Sequence, residues 1–302
     1  MKILAGKSNK PLAEKIAEKI PADILSVEFH LFSDGEERVR IEESVLDEDV
    51  LVIQTTSGKV NDYYMELFFL VDAARRSGAK TVTLVIPYLG YQRQDHIFRD
   101  GEAVSLDVIA RIFESLKVDK IITFDLHSIK IPEEFRIPIF HLSALPLFAE
   151  EIKKIVNGQL SMVNCCLVSP DMGGIRRIKI LGELLNLPYT SIEKNRDLKT
   201  GEVKAEKING NVAKTAIILD DMISTGATII SAANLLFEIG AEEIYVFATH
   251  PVFSNGAAKL LEGSRIEKVF VTDTIEVPTE KRFTKLEILS VADIVAGELN
   301  KR

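Results

Sequence analysis

The sequence alternates short apolar runs with longer segments in which apolar residues recur every three or four positions. Strands that are apolar on both faces and separated by helices predict a mostly parallel sheet covered by helices on both sides. The runs of strand length are Val50–Gln54, Thr81–Ile86, Lys120–Phe124, Cys165–Ser169, Ala216–Leu219, Ile244–Ala248 and Lys268–Val271. The segments of helical period are Asn61–Arg75, Val104–Leu116, Ile175–Leu185, Ile229–Ile239 and Ala257–Glu262. In such α/β folds, ligands bind at the carboxyl ends of the strands.

The length and an internal repeat predict two domains. A chain of 302 residues suits two domains of about 150 residues each. A strand, a Ser/Thr-Gly loop, an apolar helix, a Gly-Ala turn and a second strand follow one another from Val50 to Pro87, and again from Ala216 to Pro251. We therefore expect a tandem duplication of one α/β unit, with domains at 1–145 and 146–284. The last segment, 285–302, could return to the first domain or belong to the second.

Charge and cysteine content restrict the partners and the compartment. Asp and Glu outnumber Lys and Arg by 45 to 37, and the net charge of −8 argues against a nucleic-acid or anionic-membrane partner. No stretch approaches the roughly 18 uninterrupted apolar residues of a membrane span. The adjacent Cys165 and Cys166 are expected to be buried thiols on a strand, since neighbouring cysteines rarely form a disulfide. These features predict a cytoplasmic protein and do not exclude small phosphorylated ligands.

One strand-to-helix loop narrows the function most. The segment Ile217–Thr228 reads IILDDMISTGAT: an apolar strand, two carboxylates, a hydroxyl-rich turn and the start of an apolar helix. The loop and the helix N-terminus offer N–H groups and a partial positive charge to a phosphate. Carboxylates cannot bind phosphate, but they suit vicinal sugar hydroxyls or a metal ion. The pattern indicates a ribose phosphate site, and the alternative is a helix N-cap beside a solvated acidic turn.

This segment resembles the phosphoribosyl-pyrophosphate loop shared by type I phosphoribosyltransferases and ribose-phosphate pyrophosphokinases. The resemblance implies that Asp220 and Asp221 bind the ribose 2- and 3-hydroxyls. It assigns the 5-phosphate to Ser224, Thr225, Gly226, Ala227 and Thr228. Relatives commonly have a glycine where this chain has Ala227. An alanine with a positive φ would be strained, so we expect Ala227 at ordinary helical angles.

Two motifs in the first half distinguish between these families. Phe32–Glu36 (FSDGE) alone is typical of a surface turn, and Pro87–Asp95 (PYLGYQRQD) alone of a structural loop after a buried strand. Together they resemble the ATP site of ribose-phosphate pyrophosphokinases. In that family the FSDGE segment reaches in from a neighbouring subunit, which implies a homo-oligomer, either a dimer or a hexamer. The resemblance implies ATP contacts for Phe32, Asp34, Glu36, Arg93, Gln94, Asp95 and Arg99.

Two further strand ends resemble the metal side of the same site. Asp125-Leu126-His127 follows one strand, and Ser169–Gly174 (SPDMGG) follows another. A single histidine at a strand end is more often a surface residue, and only the resemblance implies that His127 and Asp171 approach Mg²⁺. Relatives also carry an arginine shortly after the two glycines. Arg176 and Arg177 both fit that place.

The polar segment after Ile192 reads IEKNRDLKTGEVKAE. A solvated hairpin is the ordinary interpretation of such a segment. It resembles the mobile catalytic loop of ribose-phosphate pyrophosphokinases, and this likeness gives Lys194 and Arg196 the catalytic roles. Two cations on a closing loop suit a polyphosphate.

These motifs, which follow one another in family order, identify the chain as resembling a ribose-phosphate pyrophosphokinase. The short spacer after Asp95 is closest to that of archaeal-type members. The resemblance implies two tandem type I phosphoribosyltransferase-like domains, each a mostly parallel sheet flanked by helices. It also implies transfer of the pyrophosphoryl group of ATP to the 1-hydroxyl of ribose 5-phosphate. The alternatives are a type I phosphoribosyltransferase and a non-catalytic regulatory homologue.

Overall fold

The computed structural model describes residues 1–158, 164–196, 203–208 and 210–301. Within them, only the backbone is described for residues 157–158, 194–196 and 203–207. The chain divides into two compact units. Unit 1 consists of Met1–Ser143, Thr274–Glu276 and Ser290–Arg302, and unit 2 consists of Ala144–Asp273 and Val277–Leu289. The predicted domain assignment, with boundaries at 145 and 284, stays a prediction.

Unit 1 contains a parallel sheet, a separate hairpin and four α-helices in its described residues. Its strands are β1 (Lys2–Ala5), β2 (Asp23–Ile24), β3 (Val27–Leu31), β4 (Glu37–Ile41), β5 (Asp49–Ile53), β6 (Thr81–Val85), β7 (Lys120–Phe124) and β8 (Ile139–Leu142). Its helices are α1 (Lys10–Ala17), α2 (Val60–Arg76), α3 (Ser105–Ser115) and, from the end of the chain, α8 (Ala292–Leu299), with a 3-10 helix at Ile131–Glu134.

The sheet of unit 1 has the order β2-β1-β5-β6-β7-β8, and every described pairing in it is parallel. Successive side chains of a strand point to opposite faces, so strands apolar at every position need cover on both sides. On one face Val52 and Leu84 share a core cluster with Leu67 of α2 and Phe113 of α3. The antiparallel hairpin β3–β4 lies outside this sheet.

Unit 2 contains the second sheet. Its strands are β9 (Cys165–Ser169), β10 (Tyr189–Arg196), β11 (Val203–Ile208), β12 (Thr215–Met222), β13 (Glu243–His250), β14 (Lys268–Thr272) and β15 (Leu286–Leu289). Its helices are α4 (Leu145–Gly158), α5 (Ile175–Leu185), α6 (Ala227–Glu238) and α7 (Ala257–Glu262), with 3-10 helices at Met172–Gly174 and Thr279–Lys281.

The central strand β12 shows why the unit 2 strands are apolar throughout. Ala216 and Ile218 pack into a core cluster with residues of α6 and α7, whereas Ile217 and Leu219 pack into a second cluster with residues of α4 and α5. The sheet order is β11-β10-β9-β12-β13-β14-β15, and only β11 is antiparallel to its neighbour in the described residues. The predicted α/β class with mostly parallel sheets flanked by helices is confirmed.

The predicted internal repeat is present in the strand order. When the parallel strands of each unit are numbered along the chain, both sheets follow the order 2-1-3-4-5-6. In each unit the chain also forms an antiparallel excursion before the third parallel strand. This is the β3–β4 hairpin in unit 1 and, in unit 2, β11 paired with the extended end of the second parallel strand β10. The two segments that resemble mobile or shared parts of an active site therefore occupy equivalent places.

Two smaller expectations are also met. Cys165 and Cys166 are buried free thiols in β9, and burial raises the pKa of the Cys165 thiol to about 11. No helix in the described part of the chain has both the length and the hydropathy needed to cross a bilayer.

Candidate functional site

Two adjacent carboxylates lie at the carboxyl end of β12 in unit 2. Asp220 and Asp221 are 9% and 4% exposed, and the backbone N–H of Asp221 donates to Asp220 Oδ1 at 2.8 Å. The strand extends beyond its predicted end at Leu219, because Asp220 and Met222 still pair with β13. Burial, followed by the negative charge of Asp221, raises the pKa of Asp220 well above its ordinary value. This pair therefore requires donors or a cation.

Arg177 provides one such cation. Its Nη2 lies 3.5 Å from Asp221 Oδ1, and its side chain is mostly buried. The neighbouring Arg176 is exposed. The sequence left the choice between these two arginines open, and the structure places Arg177 against the carboxylates. Arg177 Nε is buried without a hydrogen-bond partner in the described part of the chain, so this guanidinium has donor capacity left.

The phosphate-type loop follows directly. Helix α6 begins at Ala227, and the preceding Gly226 adopts a left-handed φ of 80°. The expectation that Ala227 has helical angles is thus confirmed, because Gly226 takes the conformation that an L side chain resists. Thr225, Ala227 and Thr228 are exposed. The start of the helix is therefore exposed together with the hydroxyls of Thr225 and Thr228, as an anion site requires, and the N–H of Ala227 donates to Thr225 Oγ1 at 3.4 Å.

A segment that the sequence did not single out supports this loop. The backbone N–H of Ile223 donates to the carbonyl oxygen of His250 at 2.9 Å, and that of Ser254 donates to the carbonyl oxygen of Ser224 at 2.9 Å. The hydroxyls of Ser224 and Ser254 are 3.0 Å apart. The segment after β13 thus holds the loop in place through backbone hydrogen bonds. Any residue type can form such bonds, so the sequence alone does not predict this contact.

Asp171 lies at the end of the neighbouring strand β9. Its Oδ1 accepts from the backbone N–H groups of Gly173 and Gly174 at 3.0 and 3.3 Å, so it caps the short helix that follows. A Cβ on Gly174 would lie 2.4 Å from Ser169 Oγ, which explains the glycine by close approach. The charge of Asp171 also contributes to the raised pKa of Asp220, so Asp171 and the carboxylate pair share one electrostatic environment.

In unit 1, Phe32 lies at the tip of the β3–β4 hairpin. The tip is closed by two backbone hydrogen bonds, from Phe32 to the carbonyl oxygen of Glu36 and from Gly35 to that of Phe32. Phe32, Asp34 and Glu36 are exposed, and the Phe32 ring has an edge contact with His30 at 4.7 Å between centroids. An aromatic ring held on a solvent-exposed turn is available to a planar ligand.

The second predicted nucleotide loop follows β6. Arg93 and Arg99 are exposed, while Gln94 and Asp95 are half-buried. Asp95 Oδ1 lies 2.6 Å from His96 Nδ1. Glu102 fixes the end of this loop by accepting from the backbone N–H groups of Phe98 and Arg99. Among the described residues of unit 1, no hydrogen bond or ion pair joins this loop to the Phe32 tip.

His127 lies in the loop after β7 and is exposed. The backbone of this loop is held firmly. The N–H of Asp125 donates to the carbonyl oxygen of Leu142 at 3.0 Å, and the N–H of Leu126 donates to His141 Nε2 at 2.9 Å. The N–H of His127 donates to the side chain of Gln92 at 2.8 Å. The histidine therefore has a fixed backbone beneath an exposed imidazole.

Lys7 joins the hairpin to the end of the sheet, and the sequence did not predict it. Lys7 Nζ lies 3.0 Å from Glu66 Oε2, contacts the carboxylate of Glu37 in β4, and lies 4.9 Å from the centre of the Phe29 ring. Glu66 is only 1% exposed, and it also accepts from Gln54 Nε2 at 2.8 Å. Burial raises the pKa of Glu66, and Lys7 opposes this shift. Lys7 and Glu66 are 59 residues apart in sequence, which explains why no local pattern predicted their contact.

Lys194 and Arg196 belong to β10, and their backbones pair with Ala205 and Val203 of β11. Their side chains lie outside the described residues. The predicted catalytic roles of these two residues therefore stay predictions.

Family models match both ends of the chain. Residues 1–116 match the model of the N-terminal domain of ribose phosphate pyrophosphokinase, and residues 189–301 match that of the phosphoribosyl synthetase-associated domain.

Full-length relatives agree. The chain is 40% identical over 298 residues to ribose-phosphate pyrophosphokinase 1 of Streptococcus mutans, which covers 98% of this chain and 92% of that protein. It is 39% identical over 302 residues to ribose-phosphate pyrophosphokinase of Bacillus caldolyticus, which covers 100% of this chain and 94% of that protein. A solved phosphoribosylpyrophosphate synthetase from Mycobacterium smegmatis has a TM-score of 0.91 at 32% identity, covering 99% of this chain and 97% of that one.

The buried carboxylate pair yields a stability prediction. Asp220→Asn removes a buried like charge, so we expect the free energy of unfolding at pH 8 to rise by about 1–3 kcal/mol. The raised pKa of Asp220 means that its ionisation destabilises the fold, and the protonated form carries no such cost. The gain should therefore shrink as the pH falls towards ~4, the ordinary range of an aspartate. Calorimetric melting across this pH range measures it, and an equal gain at every pH would contradict the electrostatic cause.

The Lys7 network yields a second prediction. Lys7→Met leaves the buried Glu66 without its cation, so we expect unit 1 to lose about 1–3 kcal/mol in urea denaturation. Adding Glu66→Gln should restore most of this loss, because a neutral amide needs no cation. Lys2→Met is the matched control, since Lys2 pairs with the exposed Asp23 and its loss should change little. A double variant as unstable as Lys7→Met would exclude the charge explanation.

Proposed function

The chain belongs to the ribose-phosphate pyrophosphokinase family, and we propose the residues through which it acts. It is an enzyme that transfers the β,γ-pyrophosphoryl group of ATP to the 1-hydroxyl of ribose 5-phosphate, giving phosphoribosyl pyrophosphate and AMP. The observation that carries the residue assignment is the buried Asp220–Asp221 pair beside the exposed N-terminus of α6.

The acceptor half is assigned to unit 2. Asp220 and Asp221 accept hydrogen bonds from the ribose 2- and 3-hydroxyls, which relieves the repulsion between the buried charges. The loop Ser224–Thr228 binds the 5-phosphate through backbone N–H groups and hydroxyls. Arg177 faces Asp221 and adds a cation beside the sugar. Anchoring the sugar at both ends orients the 1-hydroxyl for in-line attack, and such positioning accounts for much of phosphoryl-transfer catalysis.

The nucleotide half is assigned to unit 1. Phe32 packs on the adenine ring with Asp34 and Glu36 beside it. Arg93, Gln94, Asp95 and Arg99 bind the remainder of the nucleotide. The resemblance of the hairpin to a segment that reaches in from a neighbouring subunit, together with the exposure of its tip, supports a shared site. We therefore propose a homo-oligomer. From the charge and the free thiols, we further propose that it acts in the cytoplasm, without a nucleic-acid or membrane partner.

Mg²⁺ fits the donors present. Mg²⁺ at nucleotide sites usually takes one or two carboxylates together with phosphate oxygens and waters. The described residues accordingly hold no cluster of three or more His, Cys, Asp or Glu side chains that would form a closed metal cage. We assign Asp171, a hard oxygen donor, and His127 to the metal side of the site. When bound, Mg²⁺ neutralises part of the charge on the phosphates.

We assign to the β10–β11 segment the stabilisation of the negative charge that develops in the transition state. Lys194 and Arg196 would contact the group in transfer while charge develops on it, which is the interaction that raises kcat without tighter substrate binding.

One assay distinguishes the reaction from its alternatives. Incubation with ATP, Mg²⁺ and ribose 5-phosphate, followed by ³¹P NMR, should show AMP and phosphoribosyl pyrophosphate forming together. ADP as product would indicate a simple kinase, and absence of turnover would favour a regulatory homologue. Release of pyrophosphate from phosphoribosyl pyrophosphate and a nucleobase would favour a phosphoribosyltransferase.

The diol assignment predicts a selective defect. Asp221→Asn leaves a poorer acceptor for the ribose hydroxyls, so we expect the KM for ribose 5-phosphate to rise roughly tenfold or more. The KM for ATP should remain within about twofold, since the nucleotide half is untouched. Steady-state kinetics with each substrate varied in turn test this, and an equal rise of both KM values would contradict the assignment.

The catalytic segment predicts a turnover defect. Lys194→Ala should lower kcat on the order of 10²-fold and leave the KM for ATP nearly unchanged, because a contact made only in the transition state is lost. Lys207→Ala removes the same charge from the paired strand, opposite Glu193, and should leave kcat nearly unchanged. Similar kcat values for both variants would refute the role of Lys194.

A further inference from the structure

A buried glutamine links the predicted nucleotide loop to His127. Gln92 directly precedes Arg93 and is 1% exposed, while Arg93 points to solvent. Its Oε1 accepts from the backbone N–H of His127 at 2.8 Å, across 35 residues of sequence. Its Nε2 is buried and has no hydrogen-bond partner in the described part of the chain.

The orientation of this amide is determined by its partner. A flipped amide would place its NH₂ group against the N–H of His127, and two donors repel each other. Oε1 must therefore face His127, which leaves Nε2 buried and unsatisfied. An unsatisfied buried donor is destabilising, and an apolar side chain of similar length would avoid that cost. The contribution of this glutamine is therefore the hydrogen bond that Oε1 accepts from the N–H of His127.

The backbone of the His127 loop is held by hydrogen bonds of two kinds. The N–H groups of Asp125 and Leu126 are paired with Leu142 and His141, both in β8, which keeps the loop next to its neighbouring strand. The Gln92 contact is of another kind, because it joins the loop to the segment that carries Arg93. The contact therefore ties the backbone of His127 to the segment that carries Arg93.

We propose that Gln92 is a positioning residue that sets His127 relative to the Arg93–Asp95 loop, so that the nucleotide and its metal side are presented together. The inference rests on the proposed assignment of these loops to ATP and Mg²⁺. It gives a role to a residue that contacts no substrate in that assignment.

Two variants break the link for different reasons. Gln92→Met keeps the length and removes the acceptor, and Gln92→Asn keeps the amide and shortens its reach by one methylene. Both should raise the KM for ATP, measured in excess Mg²⁺, roughly tenfold, as loss of a contact that orients a ligand does. The KM for ribose 5-phosphate should stay within about twofold. An unchanged KM for ATP in both variants, or a defect in Gln92→Met alone, would overturn the proposal.

Two measurements separate positioning from mere packing. Hydrogen exchange should show the His127 amide exchanging roughly tenfold faster in both variants, because its acceptor is lost. The melting temperature of Gln92→Met should be equal to or above that of the parent, because a buried unsatisfied amide group is removed. A lower melting temperature with unchanged His127 exchange would mean that Gln92 only packs.

Thr123→Val is the matched control. Thr123 Oγ1 is another buried side-chain atom without a partner in the described residues, on the strand that leads into the same loop. Its replacement removes a buried polar atom without touching the His127 backbone, so both KM values should remain those of the parent. A defect equal to that of Gln92→Met would show that the region tolerates no change, and the link would lose its support.

A double variant separates failure of the proposal from failure of the site assignment. If Gln92 acts through His127, Gln92→Met combined with His127→Ala should be no worse than His127→Ala alone. Additive effects would overturn the proposal. If His127→Ala itself leaves the KM for ATP and the Mg²⁺ dependence unchanged, the assignment of His127 fails, while the hydrogen-exchange result still reports on the link.

Discussion

The candidate acceptor site depends on the burial of two adjacent negative charges, those of Asp220 and Asp221. A parallel strand covered on both faces has little solvent at its end, and carboxylates placed there repel each other strongly. Arg177 compensates only in part, since the pKa of Asp220 remains raised. The carboxylate pair is therefore an unfavourable arrangement that hydroxyl donors or a cation would improve. An anionic or apolar ligand would leave the repulsion in place.

Much of the architecture was predictable from local sequence. The seven apolar runs became strands because each is apolar at consecutive positions, and only a strand between two helical layers buries both sets of side chains. The helical angles of Ala227 were predictable, because a positive φ would strain an alanine, whereas the left-handed φ of Gly226 became visible only in the structure. The β12 strand was predicted too short, since its last pairs form with β13 and leave no trace in hydropathy.

The remaining site residues depend on contacts between distant parts of the chain. Arg176 and Arg177 are indistinguishable in the motif, and the packing of α5 decides which of them faces Asp221. Lys7 lies in no motif, and Gln92 lies within the Pro87–Asp95 motif without a role of its own in it. Their roles come from Glu66 and His127, which tertiary structure brings beside them. Strands and turns restrict which residue types can occupy them, so they leave a pattern in the sequence. A hydrogen bond between two loops needs only one acceptor at the right distance, and it leaves no such pattern.

The equivalent placement of the β3–β4 hairpin and the β10–β11 pair has an evolutionary consequence. After a duplication, each copy inherits the same points at which the chain can lengthen or diverge without disturbing the sheet. Here the two units share their strand order and differ in these two segments. One excursion came to carry an exposed aromatic ring, and the other came to carry closely spaced cations. A duplication followed by divergence at one such position would give each copy a segment of its own while leaving the shared strand order intact.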